Sequence, residues 1–346
     1  MSELRWNPLR MNWVIVVKER GRGPQDYHLE RERVTTTSCP FCYGQEAKTT
    51  QEVFAIRPEA NPSGTSNWKV RVIPNKYPAL RIEGDLDKRG VGLYDVMNGV
   101  GAHEVIVESP DHGRSMADFS PAEIVDVLKA YRARLLDLRK DPRFRYIIIF
   151  KNHGVEAGAT IPHPHSQLIA VPITPPVVAT KLSVSRDYYH RKERCLMCDM
   201  LDQEREEKER LVRDDDHFMV FAPFASSFPF ELCIAPRRHS HDFALLGDEE
   251  LTALAETLKD TLYRLRHVLR DPPYNLVLHN APPMHLRLGK PSHWGSLPYD
   301  YHWHIELVPR LVKTAGFERG TGFHINPTPP EQAARYLREA NLPAVL

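Results

Sequence analysis

Neither sign of charge predominates in this sequence: 46 basic residues face 45 acidic ones, a formal net charge of +1. That balance offers no basic footprint for nucleic acid or an anionic membrane, so neither is expected as a partner. No apolar run is long enough to cross a bilayer. The opening residues, Met1-Ser2-Glu3-Leu4-Arg5-Trp6, lack the basic-then-apolar pattern of a secretory leader, and a cytoplasmic protein is expected. Cysteine is sparse, with five residues in 346, and in a reducing compartment they are not expected to form a disulfide framework. Length and a 42% apolar share leave room for two globular domains or one duplicated architecture. Proline, by contrast, is plentiful at 29 residues, which favours short strands and extended connections over long helices.

Four of the five cysteines fall into two Cys-x-x-Cys pairs, Cys39/Cys42 and Cys195/Cys198. Each pair opens a half of the chain, and further landmarks repeat in the same order. Glu104-Val105-Ile106-Val107 followed by Pro110 and His112 parallels Glu231-Leu232-Cys233-Ile234 followed by Pro236 and His239, with equal spacing from Glu to His. Tyr146 to Asn152 parallels Tyr274 to Asn280, and His163-Pro164-His165 before an apolar run parallels His302-Trp303-His304. The repeat predicts two halves of like build. Short β-branched and aromatic runs at 13–18, 70–73, 104–108, 146–150 and 167–171 read as strands, and 121–139 and 248–269 read as amphipathic helices. The expected fold class is α+β with antiparallel sheets, each half packing one helix, divided at residues 190 and 191. The charged run 202–210 reads as a solvated helix face or linker.

A Cys-x-x-Cys pair brings two thiolates to one tetrahedral ion, and thiolate with imidazole favours zinc. In the first half the remaining ligands would be His112 and His163. In the second, the repeat points to His239 and His302, with His279, His293 and His304 as competitors. A closed Cys2His2 shell has no open position, so both sites are expected to be structural.

His163 and His165 precede an apolar strand, where alternation places residues two apart on one face. One can hold metal while the other faces substrate. Gly154 and Gly158, with Ala157 and Ala159 between and beside them, let backbone N–H groups approach an anion, and Thr160, Ser166 and Gln167 add neutral donors suited to phosphoryl oxygens. A neutral imidazole attacks an anionic phosphorus without the repulsion a carboxylate meets, and the phosphoramidate it forms stays reactive. His165 is therefore the candidate nucleophile, with Gln167 stabilising charge on a non-bridging oxygen.

These residues resemble the galactose-1-phosphate uridylyltransferase family, a branch of the histidine-triad superfamily. Arg5-Trp6-Asn7-Pro8, Cys39-Pro40-Phe41-Cys42, Val70 to Leu80, Glu108-Ser109-Pro110-Asp111-His112, His163-Pro164-His165-Ser166-Gln167 and the tail Pro330 to Glu339 follow in family order over nearly the whole chain. The resemblance implies two histidine-triad-like halves in a duplicated half-barrel architecture. It implies a ping-pong reaction in which His165 takes a nucleoside monophosphate from a nucleotide sugar, releases a sugar 1-phosphate, and passes the nucleotide to a second phosphate acceptor. Asn75 matches a nucleoside contact, and Asn152 and Thr160 match phosphate-side positions. Cys39, Cys42, His112 and His163 match zinc ligands. A homodimer is implied, with the C-terminal segment, here Lys313, Gly316, Phe317 and Glu318, serving the sugar pocket.

Three departures stand out. Ser166 occupies a position usually Gly or Cys, the second site offers Cys195 and Cys198 where a carboxylate is usual, and residues 315–327 differ from the familiar sugar-reading loop. All three resemble a sister group that includes ADP-glucose phosphorylase and carries a second Cys2His2 zinc. The first reading is thus a hexose-1-phosphate uridylyltransferase. The alternative is an ADP-glucose phosphorylase or adenylyltransferase with phosphate as acceptor, and a remoter one is a zinc-stabilised nucleotide-binding protein without turnover. The second half, whose His304 has no evident partner, is expected to be catalytically silent.

Overall fold

The computed structural model describes residues 1–19, 21–27, 38–58, 67–287 and 292–340, and every site residue named above lies among them. Strands β1 (Glu3–Asn7), β2 (Asn12–Val16), β3 (Phe54–Ile56), β4 (Val70–Pro74), β5 (Arg89–Val91), β6 (Tyr94–Val96) and β7 (Ala102–Val107) precede the first long helix, α1 (Pro121–Leu138). Strands β8 (Tyr146–His153) and β9 (His165–Val171) lead into α2 (Pro176–Lys192) and α3 (Leu196–Glu207). The pattern then recurs through β10 (Leu211–Asp214), β11 (Phe218–Phe221), β12 (Leu232–Pro236), α4 (Asp248–Leu269), β13 (Tyr274–His279), α5 (Leu297–Asp300) and β14 (His304–Pro309). Helix α6 (Gly316–Thr321), strand β15 (His324–Asn326) and helix α7 (Pro330–Arg338) follow. No helix among the described residues is long and apolar enough to cross a membrane.

The α+β expectation holds, and the repeat takes physical form in one ten-stranded sheet ordered β10-β11-β12-β14-β13-β8-β9-β7-β4-β3. Read outward from its middle, the order β8, β9, β7, β4, β3 mirrors β13, β14, β12, β11, β10. The halves join where β13 pairs antiparallel with β8, Asn275 opposite Asn152. Helix α1 starts where Ser120 and Glu123 cap each other reciprocally and Pro121 presets φ. Its buried stripe, Ile124, Val127, Leu128, Tyr131 and Leu135, meets Ile106, Ile149 and Leu168 of the sheet. Helix α4 buries Leu251, Leu254, Leu258, Leu262 and Leu265 in the same continuous core.

The opposite face of the sheet differs between the halves. In the second half, Leu196, Met197 and Leu201 of α3 cover Met219, Phe221, Cys233 and Ala235. In the first half, among the described residues, a smaller cluster around Phe41, Trp68, Ile73, Val105 and Val107 packs there. The run 202–210, expected to be solvated, is part of α3 and the turn after it, and the expectation fails at two residues. Glu204 and Arg210 are both buried and ion-paired through Arg210 Nε, at 2.9 Å to Oε2. A carboxylate and a guanidinium that satisfy each other can enter a core that neither could enter alone.

Candidate active site and metal centres

The register of β9 decides which side chains face the open side. Val107 lies opposite His165, Val105 opposite Gln167 and Phe150 opposite Gln167, so these residues share a face. His165 Nδ1 lies 2.8 Å from the His163 carbonyl, which places the ring proton on Nδ1. Nε2 then carries the lone pair, and no hydrogen bond among the described residues engages it. Burial holds this imidazole below the ordinary histidine range, with the Lys151 ammonium adding to the effect. The Phe41 ring stands 5.6 Å from the His165 ring and limits its swing.

Gln167 is oriented by a residue that carried no signal in the sequence. Ala79 N–H donates to His103 Nδ1 at 3.1 Å, so the His103 proton sits on Nε2 and is donated to Gln167 Oε1 at 2.9 Å. The Gln167 amide NH2 is left as a donor. Asn75 Nδ2 lies 3.2 Å from the same His103 Nε2, so Asn75 and Gln167 meet at one ring. Asn152 Oδ1 accepts from Asn275 Nδ2 at 2.8 Å, and the same nitrogen donates to the Ala157 carbonyl, tying the glycine loop to the strand. Gly158 (φ +93°) lies against Asn152, since a Cβ there would be 3.4 Å from Asn152 Nδ2. Thr160 is exposed.

Ser166 is a correction. Expected among the phosphate donors, it is fully buried on the helix side, where its hydroxyl donates to Glu108 and accepts from Tyr131 at 2.5 Å. Strand alternation that brings His165 and Gln167 forward necessarily turns Ser166 back.

Cys39, Cys42, His112 and His163 converge, as do Cys195, Cys198, His239 and His302. Cys42 Sγ is 3.5 Å from His112 Nδ1 and 3.8 Å from His163 Nδ1, and the two nitrogens are 3.3 Å apart. Cys198 Sγ is 3.4 Å from His239 Nδ1 and 3.5 Å from His302 Nδ1. A tetrahedron with metal–ligand bonds of about 2.0–2.3 Å has edges of about 3.3–3.8 Å, so both sets fit one ion each. His163, His239 and His302 turn Nδ1 inward and place Nε2 at 2.7, 2.9 and 2.9 Å from the carbonyls of Ser109, Pro298 and Pro236. That outer hydrogen bond is the usual support of a metal-binding imidazole. None of the five cysteines is in a disulfide.

Comparison with known proteins gives the geometry a family. Residues 1–175 match the N-terminal domain, and residues 181–342 the C-terminal domain, of galactose-1-phosphate uridyl transferase. An ADP-glucose phosphorylase of Arabidopsis thaliana is 37% identical over 98% of this chain and 93% of its own. A galactose-1-phosphate uridylyltransferase of Thermotoga maritima is 30% identical over 99% of each. A crystal structure of an Arabidopsis thaliana ADP-glucose phosphorylase with bound ADP-glucose superposes with a TM-score of 0.80, at 34% identity, over 99% of this chain and 100% of that one.

The chain belongs to the galactose-1-phosphate uridylyltransferase family. It is accordingly a nucleotidyl-transferring enzyme.

Within this family member the second half repeats the geometry and then closes it. His304 Nδ1 lies 3.0 Å from the His302 carbonyl, as His165 does from His163. Its Nε2, however, faces Lys181 Nζ of α2 at 2.9 Å, and the same ammonium lies 2.7 Å from Glu306, the counterpart of Gln167. Arg10 adds a second cation, 2.9 Å from Glu306 and 2.8 Å from Glu231. Burial, reinforced by Lys181, pushes the His304 imidazole down to about 3. The ring is neutral, but its reactive nitrogen is engaged and covered.

Lys313, Gly316, Phe317 and Glu318 lie around α6, beyond β14, and no hydrogen bond or ion pair among the described residues joins them to His165 or Gln167. Glu318 instead caps its own helix through the Ala315 N–H at 2.9 Å. The residues that sequence reasoning missed are Phe41, His103, Glu108 and Lys151. Phe41 carried a signal in its place inside the first Cys-x-x-Cys, and Glu108 in its place at the head of the run that ends at His112; His103 and Lys151 carried none.

Proposed function

We propose that this enzyme transfers a nucleoside monophosphate through a covalent His165 intermediate, and that its substrates are ADP-glucose and phosphate. The observation that carries the nucleophile is the Nδ1-protonated imidazole whose Nε2 has no hydrogen-bond partner among the described residues, on the same face of the sheet as Gln167. The His165 Nε2 lone pair attacks the α-phosphorus of the nucleotide sugar. The bond from that phosphorus to the bridging oxygen breaks, and the sugar 1-phosphate leaves with the electron pair. The His163 carbonyl keeps the Nδ1 proton and faces the imidazolium charge as it forms. The Gln167 amide donates to a non-bridging oxygen, Asn75 serves the nucleoside, and Asn152 with the Gly158–Thr160 loop serves the phosphates. An oxygen of the acceptor phosphate then attacks the same phosphorus and frees Nε2.

Two Cys2His2 zinc ions would brace the ends of these strands, holding His163 so that His165 is aimed, and would supply no chemistry of their own. The reading includes a first half, 1–190, that is catalytic and a second, 191–346, that is silent, with a homodimer in the cytoplasm. Adenylyl transfer is favoured by the second Cys2His2 set and by 37% identity to an ADP-glucose phosphorylase against 30% to a uridylyltransferase. Uridylyl transfer to hexose 1-phosphate is the second reading, favoured by the family as a whole.

The test is intact-mass analysis after separate incubation with ADP-glucose and UDP-glucose. The expected result is an AMP adduct that phosphate discharges and that His165→Gly cannot form. A UMP adduct discharged by galactose 1-phosphate would establish the second reading. The same adduct on His165→Gly would refute the nucleophile, and nucleotide binding without any adduct would leave a non-catalytic protein.

A further inference from the structure

The site face accounts for His165, but the other side of the same strand carries charges that the reaction does not use. On β8, Ile147 and Ile149 point toward α1 and join the aliphatic core with Leu168 and Ala170. The next residue on that face is Lys151, 2% exposed. Its ammonium donates to Glu108 Oε2 at 2.6 Å, and Glu108 is equally buried. Glu108 Oε1 accepts from Ser166, and Ser166 accepts from Tyr131. The quartet is closed from solvent on every member: Tyr131 is 3% exposed and Ser166 is fully buried.

Stability alone gives no reason for such a group, because apolar residues of like volume usually serve a core as well as a buried ion pair does. What the quartet specifically provides is a second hydrogen bond from Lys151 Nζ, to the backbone carbonyl of His165 at 3.1 Å. Its place in the sheet explains the need. The ladder between β8 and β9 ends at the Phe150–Gln167 pair, two residues short of His165. There the strands part, and β8 runs on to His153 and the glycine loop. The nucleophile therefore sits where the backbone has lost its partner on one side, and Lys151 supplies the missing bond through its side chain.

We propose that Lys151 is a positioning residue for His165. Its ammonium is held by Glu108, and Glu108 by Ser166 and Tyr131, so the His165 main chain is clamped from behind while the His163 carbonyl fixes the ring from the front. The proposal rests on the reading of His165 as nucleophile. It also explains Ser166: the hydroxyl orients a carboxylate two steps behind the nucleophile and does not meet phosphate.

The test compares Lys151→Met, Glu108→Gln and the paired Glu108→Leu/Lys151→Met variant with the parent enzyme. The paired variant removes both charges together, so it is expected to fold even where a single change strands an ion. With ADP-glucose and UDP-glucose as probes, single-turnover adduct formation is expected to fall about 10- to 100-fold in all three, with KM changed by less than about twofold, as misorientation of a reacting group predicts. An unchanged rate in the folded paired variant would overturn the proposal, as would a rise in KM with kcat intact. A second readout does not depend on turnover. Ring ¹⁵N spectra of His165 are expected to show one ordered Nδ1–H tautomer in the parent and exchange between ring orientations in the paired variant. Identical spectra would refute the clamp even if neither nucleotide sugar forms an adduct, the outcome that would instead defeat the nucleophile reading.

Discussion

Adding one methyl group at Gly154 should separate the fold from the site. This glycine follows Asn152-His153 and has φ +84° and ψ 155°, a region that is essentially closed to residues with a Cβ. Forcing alanine into it costs about 1–3 kcal/mol. Space is the second cost, since the new Cβ would stand 2.7 Å from Pro273 Cβ and 3.1 Å from Pro273 Cα. The proline ring and the backbone beneath it cannot swing aside as a flexible side chain could, and overlap of this kind costs about 1–3 kcal/mol more. Gly154→Ala should thus lose about 3 kcal/mol in urea unfolding, and relief comes by moving the loop away from Pro273. That movement carries Asn152 and Gly158 with it. With those groups proposed to orient the phosphates, a shift near 1 Å is expected to lower kcat/KM about 100-fold. Gly158→Ala is the control, with a similar positive φ of +93° but no contact closer than 3.4 Å. It should lose about 1 kcal/mol, the cost of backbone conformation alone. Pro273→Gly in the Gly154→Ala background removes the clashing Cβ and should recover part of the loss. Equal losses for the two alanine variants would refute the steric argument, and a destabilised Gly154→Ala enzyme with full activity would refute the loop's place in the site.

Metal analysis of purified protein should find about two zinc ions per chain, falling to about one in Cys198→Ser; a parent value near one would remove the second centre. Lys181→Met leaves Glu306 and His304 without their ammonium and should cost about 3 kcal/mol in urea unfolding, with His165 adduct formation unchanged. Unaltered stability would show that the plug in the second half is not needed for the fold. Glu123 is held at about 2 by its hydrogen bond to Arg114, helped by the Ser120 backbone and hydroxyl. A folded value below the unfolded one gives stability that is present above about pH 4.5 and lost as pH falls toward about 2. Because the Glu123 side chain is 40% exposed, the contribution is discounted to about 1 kcal/mol. Glu123→Gln should therefore lower stability near neutral pH and converge with the parent at about pH 2, and a constant gap across the titration would contradict this.

Local spacing determined much of this protein. Two Cys-x-x-Cys pairs, each followed by a histidine after a strand and then a His-x-His, pointed to the two Cys2His2 groups that converge in the structure, although His279, His293 and His304 competed for a place in the second until the fold brought His239 and His302 to Cys198. The same run put His165 two residues from a candidate ligand, His163, and one alternation from Gln167. The helices at 121 and 248 were legible because their apolar stripes keep the helical period, and the family was legible because its motifs lie in order.

Facing, register and closure belonged to the tertiary structure. Ser166 looked like a phosphate donor in the sequence, since a hydroxyl beside a candidate nucleophile reads the same on either face of a strand. Only the pairing with β7 and β8 turned it into the core. His103 reaches Gln167 from a strand 64 residues away, and Lys151 reaches the His165 carbonyl from the neighbouring strand where the ladder has already ended, and no spacing encodes either contact. Nor could the repeat tell the two histidines apart. His165 and His304 hold the same hydrogen bond to a carbonyl two residues back, and what separates them is α2, which lays Lys181 over Nε2 of His304, while Nε2 of His165 has no hydrogen-bond partner among the described residues. A side chain's identity is written in the chain, but its neighbours come from the whole sheet and the helices laid on it, and the chemistry follows the neighbours.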